Sequence, residues 1–283
     1  MSKKHAFLLF TKAPVPGLTK TRLTTDRGGI LTPEAAAEFY KSCMLDVAEI
    51  GFQALTELNQ RAEQGTGTAS GHHDFWVCCS PASEQPLLEK VFEEAGPWPG
   101  TIRFINDRGQ NFDEHFDDAF QQLFDHGYHS VISIGGDLPT MPVSHIVRAF
   151  EWLAYFDSFS ERGGFVQAPC QACGVSLVGY TKNTPMDSEG VFYNLDGVPA
   201  LDAYTAKAKQ RGVPVALLDA VADVDDLEDL AHAISLMNAI SYSSTYQPEL
   251  VVPKRTLAWI NETGIIVSTP PNTQHDPRER IDA

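Results

Sequence analysis

Apolar residues in this chain come in short unbroken runs, separated by longer stretches where they recur every three or four positions. The run at residues 5–10 (HAFLLF) reads as a buried first strand. Similar runs at 75–79, 101–106, 130–134, 165–168, 175–180 and 213–218 predict six more strands. Between them, Thr32-Pro33 opens a helix running through residues 34–55, with a cap and a proline in its first turn. Ser83 is placed to cap a helix over 84–95, Asn111 one over 112–127, and Asp226 one reaching about residue 238. Helices over 143–155 and 201–211 complete the alternation. Phe112, Phe116, Ala119, Phe120, Leu123 and Phe124 form a stripe at helical spacing, which predicts core. Residues 59–73 are polar and Gly-rich and read as a flexible loop, with His72 and His73 solvated in it. Residues 241–283 break the alternation: VVPKRTLAWINETGIIVSTPP reads as a β-hairpin or arm, with a frayed last dozen residues. The expected division is therefore a domain over 1–240 and an arm over 241–283, the arm covering its own core or a second subunit in a homo-oligomer. Strands alternating with helices predict an α/β fold around a mostly parallel sheet.

With 283 residues and 43% hydrophobic content, the chain can bury a core without staples. Its formal charge of -16 argues against nucleic-acid or anionic-membrane partners, which need broad positive potential. Five cysteines without framework spacing and too short an N-terminal apolar run for a signal peptide predict a reduced, cytoplasmic protein without a membrane span.

Against that acidic background, FTKAPVPGLTKTRL at 10–23 stands out, because no Asp or Glu precedes Asp26. Its PVPG segment, Pro14 to Gly17, must leave the strand, since proline cannot continue a central one. Lys12, Lys20 and Arg22 then sit on a loop after the first strand, where charge-assisted bonds and backbone N–H groups suit a nucleotide's phosphates. Asp137 follows the fourth strand in GGDLP, with Gly135 and Gly136 allowing close approach. Ligands of open α/β sheets bind at that end of the strands, and a carboxylate there suits a hard cation, Mg²⁺ or Mn²⁺, on phosphate oxygens. Asp223 and Asp225 alternate in ADVDDLEDL and could add metal contacts, or Asp226 could simply cap the next helix. The CxxC of Cys170 and Cys173 lacks partners for zinc, and its place between two late strands does not fit a redox motif. GVSLVG fails the serine-hydrolase spacing, and neither GxGxxG nor GxxxxGKS occurs.

Four segments in order, KAPVPGLTKTRL, RGQNFDEHFDDAF, IGGDLPTM and DVDDLEDL, resemble a small bacterial glycosyltransferase-A-like family formerly of unknown function, which includes a proposed arsenosugar-biosynthesis glycosyltransferase. The resemblance spans about residues 6–231 and implies the Rossmann-like, three-layer GT-A (nucleotide-diphospho-sugar transferase) fold. It implies that Lys12, Gly17, Lys20 and Arg22 line the nucleotide site, that Asp137 binds metal, and that Asp223 and Asp225 form the late acidic motif. The family's P-x-x-D-G-G segment is PCQACG here, with Ala172 in place of the acid and Cys173 in place of a glycine.

The expected function is a metal-dependent transferase using a nucleoside-diphosphate sugar and a small-molecule acceptor, with Asp137, Lys20 and Arg22 supporting the leaving diphosphate. A nucleotidyltransferase releasing pyrophosphate from a nucleoside triphosphate is the alternative, and a catalytically silent nucleotide binder, supported by Ala172, is the third. Asp187, Glu189 and Asp196 are candidate bases by position alone.

Overall fold

The structure, a computed structural model, describes residues 3–268. Seven strands form one sheet: β1 (Lys4–Thr11), β2 (His72–Cys79), β3 (Ile102–Asn106), β4 (Ser130–Gly135), β5 (Phe165–Pro169), β6 (Val175–Thr181) and β7 (Val215–Leu217). Their order is β3-β2-β1-β4-β6-β5-β7. All neighbours are parallel except β6, which runs antiparallel to both β4 and β5. The α/β, mostly parallel fold expected from the alternation is what forms.

Because side chains alternate along a strand, β1 feeds two cores. Phe7 and Leu9 face α1 (Pro33–Glu63), α2 (Gln85–Ala95) and α4 (Val143–Asp157), while Ala6, Leu8 and Phe10 face α3 (Phe112–Asp125) and α5 (Ala200–Arg211). Apolar side chains on both faces explain why the first strand reads as an unbroken apolar run. A third cluster joins the outer side of α1, through Ala36, Phe39 and Cys43, to α6 (Leu227–Ser243) and α7 (Lys254–Thr263).

Several expected boundaries move. Helix α1 continues to Glu63, its Arg61 pairing with Glu57 and with Glu151 of α4. The predicted loop therefore shortens, and β2 starts at His72. His73 is not solvated: it is buried, stacked on His5 with ring centroids 4.6 Å apart. Ser83 lies within a short 3-10 turn and caps nothing; the residue before α2 is Glu84, with no side-chain cap. Asn111 and Asp226 do cap, Asp226 within a reciprocal box with Asp229.

The largest correction is the tail. Helix α6 passes through position 240, and the expected hairpin is the helix α7. Its Thr256, Leu257 and Ile260 are buried, Trp259 packs on Phe39 with centroids 5.2 Å apart, and Asp46 of α1 accepts from the Arg255 and Thr256 backbone. Helical spacing of the apolar positions outweighs the β-forming content of the segment. The last dozen residues, expected to fray, lie outside the described ones.

Candidate active site

The carboxyl ends of β1 and β4, the amino end of the antiparallel β6 and the segment before α6 enclose a cavity of about 460 Å³. Lys12, Lys20, Arg22, Gly136, Asp137, Asp223 and Asp225 all line it. Pro14 and Gly17 do not; they shape the loop, Gly17 taking a φ of 78° that suits glycine.

Lys20 organises the charged end. Its Nζ donates to Asp137 Oδ2 at 2.6 Å and to Asp225 Oδ1 at 2.9 Å, with only 7% of its side chain exposed. Arg22, largely exposed, adds a contact to Asp225 Oδ2 at 3.2 Å. Burial works against the Lys20 charge, but Asp137 and then Asp225 outweigh it and hold its pKa well above the usual lysine value. The converse holds at Asp225, where Lys20 overcomes the cost of burial and lowers the pKa. Lys20 has a left-handed backbone, φ 48° and ψ 40°, uncommon for a residue with a Cβ. That strain is a feature of functional loops, and here it turns the side chain inward.

The GGD segment of the fourth strand has a steric rationale. A Cβ on Gly136 would lie 2.8 Å from Thr11 Oγ1 and 2.9 Å from the Tyr40 hydroxyl. One on Gly135 would lie 2.7 Å from Asp137 Oδ1. Gly136 lets the strand end sit tight against α1, and Gly135 leaves the Asp137 carboxylate room to turn toward Lys20.

Asp223 sits apart from the cation pairing: among the described residues it makes no ion pair. Burial, with the charges of Asp137 and Asp225 beside it, pushes its pKa up to about 6. Gln171, unremarked in the sequence, ties this segment down: its Oε1 accepts from Asp223 N at 3.1 Å and its Nε2 donates to Asp229 Oδ1 at 3.1 Å. The PCQACG loop also carries Ala172 at φ 51° and Cys173 at φ 59°. Both departures from the family pattern thus fall where glycine or an Asp-like residue is favoured sterically.

The three positional candidates for a base are elsewhere. Asp187 is held by Lys207 at 2.5 Å and Arg211 at 2.6 Å, while Glu189 and Asp196 are exposed, and none of them lines the cavity. At the other end of the cavity stand Phe10, Phe112, Phe116 and Phe192. The helical stripe predicted as core is core from Phe116 onward, but its first turn opens onto the cavity.

The donor set of three carboxylates has the chemistry for a hard cation, yet its arrangement does not fit one. Lys20 holds an oxygen of Asp137 and one of Asp225, and among the described residues no three His, Cys, Asp or Glu groups are disposed around a common metal position.

Residues 65–195 match the model of a family described as an uncharacterized protein conserved in bacteria (DUF2064). That span holds RGQNFDEHFDDAF and IGGDLPTM, and the match bears out the family resemblance. A protein from Desulfovibrio desulfuricans G20, provisionally described as a nucleotide-diphospho-sugar transferase, superposes with a TM-score of 0.68 at 23% identity, covering 93% of this chain and 96% of that one. A cytidylyltransferase from Leptospira borgpetersenii serovar Hardjo-bovis (strain JB197) superposes with a TM-score of 0.50 at 10% identity, covering 96% and 100% of the two chains. At such identities the likeness establishes the fold, and it is the nucleotide-diphospho-sugar transferase fold. A comparison with curated proteins gives no match. No helix among the described residues is long and apolar enough to cross a membrane.

Proposed function

We propose that the chain is a transferase that takes a sugar from a nucleoside diphosphate, with Lys20 as its resident cation. The observation that carries this reading is the Lys20 ammonium, nearly buried between Asp137 and Asp225 at the carboxyl end of the sheet, with Lys12 and Arg22 beside it. Support also comes from the fold, shared with a protein described as a nucleotide-diphospho-sugar transferase.

In the reaction, a nucleophilic atom of the acceptor bonds to the anomeric carbon while the bond from that carbon to the diphosphate oxygen breaks. The electron pair leaves on the diphosphate. Lys12, Lys20 and Arg22 stabilise the charge that develops there, and fixed cations act most strongly where they are already partly desolvated. Asp137 and Asp225 keep Lys20 protonated and aimed. Asp223 lines the same cavity without a cation partner, so it is the carboxylate placed to take the acceptor's proton. In this reading Lys20 supplies the positive charge that the sequence leads one to expect from Mg²⁺ or Mn²⁺, its ammonium holding one oxygen of Asp137 and one of Asp225.

The test is product analysis with a panel of nucleotide sugars and acceptors. Release of nucleoside diphosphate, lost in Lys20→Ala, supports the reading. Pyrophosphate released from a nucleoside triphosphate would replace it with a nucleotidyltransferase.

A further inference from the structure

The aromatic end of the cavity takes no part in the phosphate chemistry, yet it is held in place at some cost. Phe112 and Phe192 meet edge to face with centroids 4.8 Å apart, and Phe116 lies 5.4 Å from Phe192. Phe10 closes the wall, 5.5 Å from Phe112 and 5.3 Å from Phe116. Phe192 belongs to the loop between β6 and α5, and two carboxylates of α3 grip that loop by its backbone. Asp113, only 6% exposed, accepts from Gly190 N at 2.8 Å and Phe192 N at 3.0 Å. Asp117 accepts from Ser188 N at 2.9 Å through either oxygen, and the Ser188 hydroxyl pairs with Tyr204 at 2.8 Å. Sinking carboxylates into a protein is unfavourable unless they are hydrogen-bonded, and here the bonds all go to one loop. Beyond Phe192 the same loop leaves Tyr193 71% exposed and Leu195 fully exposed.

We infer that this wall is the binding face for the acceptor, a molecule with an apolar ring, and that Phe192 determines its specificity while Asp113 and Asp117 are positioning residues. The inference rests on the transferase reading above. The four phenylalanines present ring faces and edges without a hydrogen-bonding group, so they select a ring by shape and stacking. A nucleobase is chosen by polar groups on its edge, which this wall lacks. The wall and the cationic end share one cavity, of a size usual for small-molecule sites. A ring held on Phe192 and a phosphorylated group held at Lys20 therefore occupy the same cavity. The motif RGQNFDEHFDDAF gains a reason on this view: it supplies both the first rings of the wall and the clamps for the loop.

The test titrates phenyl β-glucoside, methyl β-glucoside, uridine and guanosine calorimetrically into the full chain without nucleotide. Phenyl β-glucoside should bind saturably, and Phe192→Ala should weaken it about tenfold. Methyl β-glucoside should bind more weakly than the phenyl compound, and any nucleoside affinity should be unchanged in Phe192→Ala. Asp113→Ala should weaken the phenyl compound and speed hydrogen exchange at Gly190 and Phe192, with Asp113→Asn, which keeps one acceptor oxygen, restoring part of both. Absence of saturable phenyl β-glucoside binding, or equal affinity in wild type and Phe192→Ala, overturns the inference. A tenfold loss of nucleoside affinity in Phe192→Ala also overturns it, and assigns the wall to the donor's base. None of these readouts needs turnover, so a failure of the transferase reading appears separately, as intact ring binding with no product.

Discussion

At the charged end of the cavity, each functional side chain comes from a short segment at the end of a strand or the start of a helix. Lys20 and Arg22 follow β1, Asp137 follows β4, and Asp223 and Asp225 precede α6. At the aromatic end, Phe112 and Phe116 sit inside a helix, and Phe192 arrives on a loop that other residues must hold. The first end is built from groups that would be costly anywhere else in the core, so their presence in sequence already signals a site. The second is built from groups that are ordinary core material, and only their position at an opening makes them a surface for a ligand. Charge is thus fixed by pairing, and ring geometry by a clamped loop.

The strongest way to break the comparison is at Asp223. Asp223→Asn should cut turnover by about 100-fold or more, the range of a lost general base, while leaving pyrophosphate affinity near wild type. A mutant with wild-type turnover would return Asp223 to a merely structural role. Next in size is a contrast within the aromatic end. Phe116, 6% exposed, belongs to the core as well as the wall, so Phe116→Ala should cost about 3–4 kcal/mol in chemical denaturation. Phe192 is half-buried at the rim, and Phe192→Ala should cost roughly 1 kcal/mol. Equal losses would mean that the loop is core and not wall.

The sequence shows the charged end because its signals are local. A strand followed by Pro-Val-Pro-Gly must leave the sheet, and GGD after an apolar run needs only its neighbours to be interpreted. The succession of strands and helices along the chain and the caps at Asn111 and Asp226 are equally local. Asp113 and Asp117 look like helix-start acids suited to the dipole, and their loop partners lie on a distant segment that no spacing reveals. Gln171 is hidden for the same reason. A Gly-rich flank masks the entry of His73 into β2 and its stacking on His5. Around α7, Val, Thr, Trp and Ile suggest a strand, while the spacing of Thr256, Leu257 and Ile260 toward α1 carries the opposite signal.

The other end of the sheet supplies a control of smaller effect. Burial pushes His5 down to about 4 and His73 down to about 3, below the usual histidine value of 6.5. The folded state therefore favours both rings neutral. Their contribution to stability is full above about pH 6.5 and is lost as pH falls toward the folded values. Denaturation midpoints should decline between pH 6.5 and 4, and His73→Gln should flatten that decline. A similar gradient in the mutant would place the acid sensitivity elsewhere. Smaller again, Asp46→Asn keeps one acceptor oxygen toward α7 and should lower stability by about 1–2 kcal/mol.

Lys20 is the residue on which the account turns, and inorganic pyrophosphate probes it without needing the base, sugar or acceptor. Calorimetric titration of pyrophosphate into wild type and Lys20→Met should show affinity falling about 10- to 100-fold in the mutant, the loss of one charge-assisted bond in a partly dry site. In the same mutant Mn²⁺ should gain affinity, because Asp137 and Asp225 lose the ammonium they share. Equal pyrophosphate affinity in the two proteins, with both folded, would contradict the claim that Lys20 is the resident cation of a phosphate-binding site.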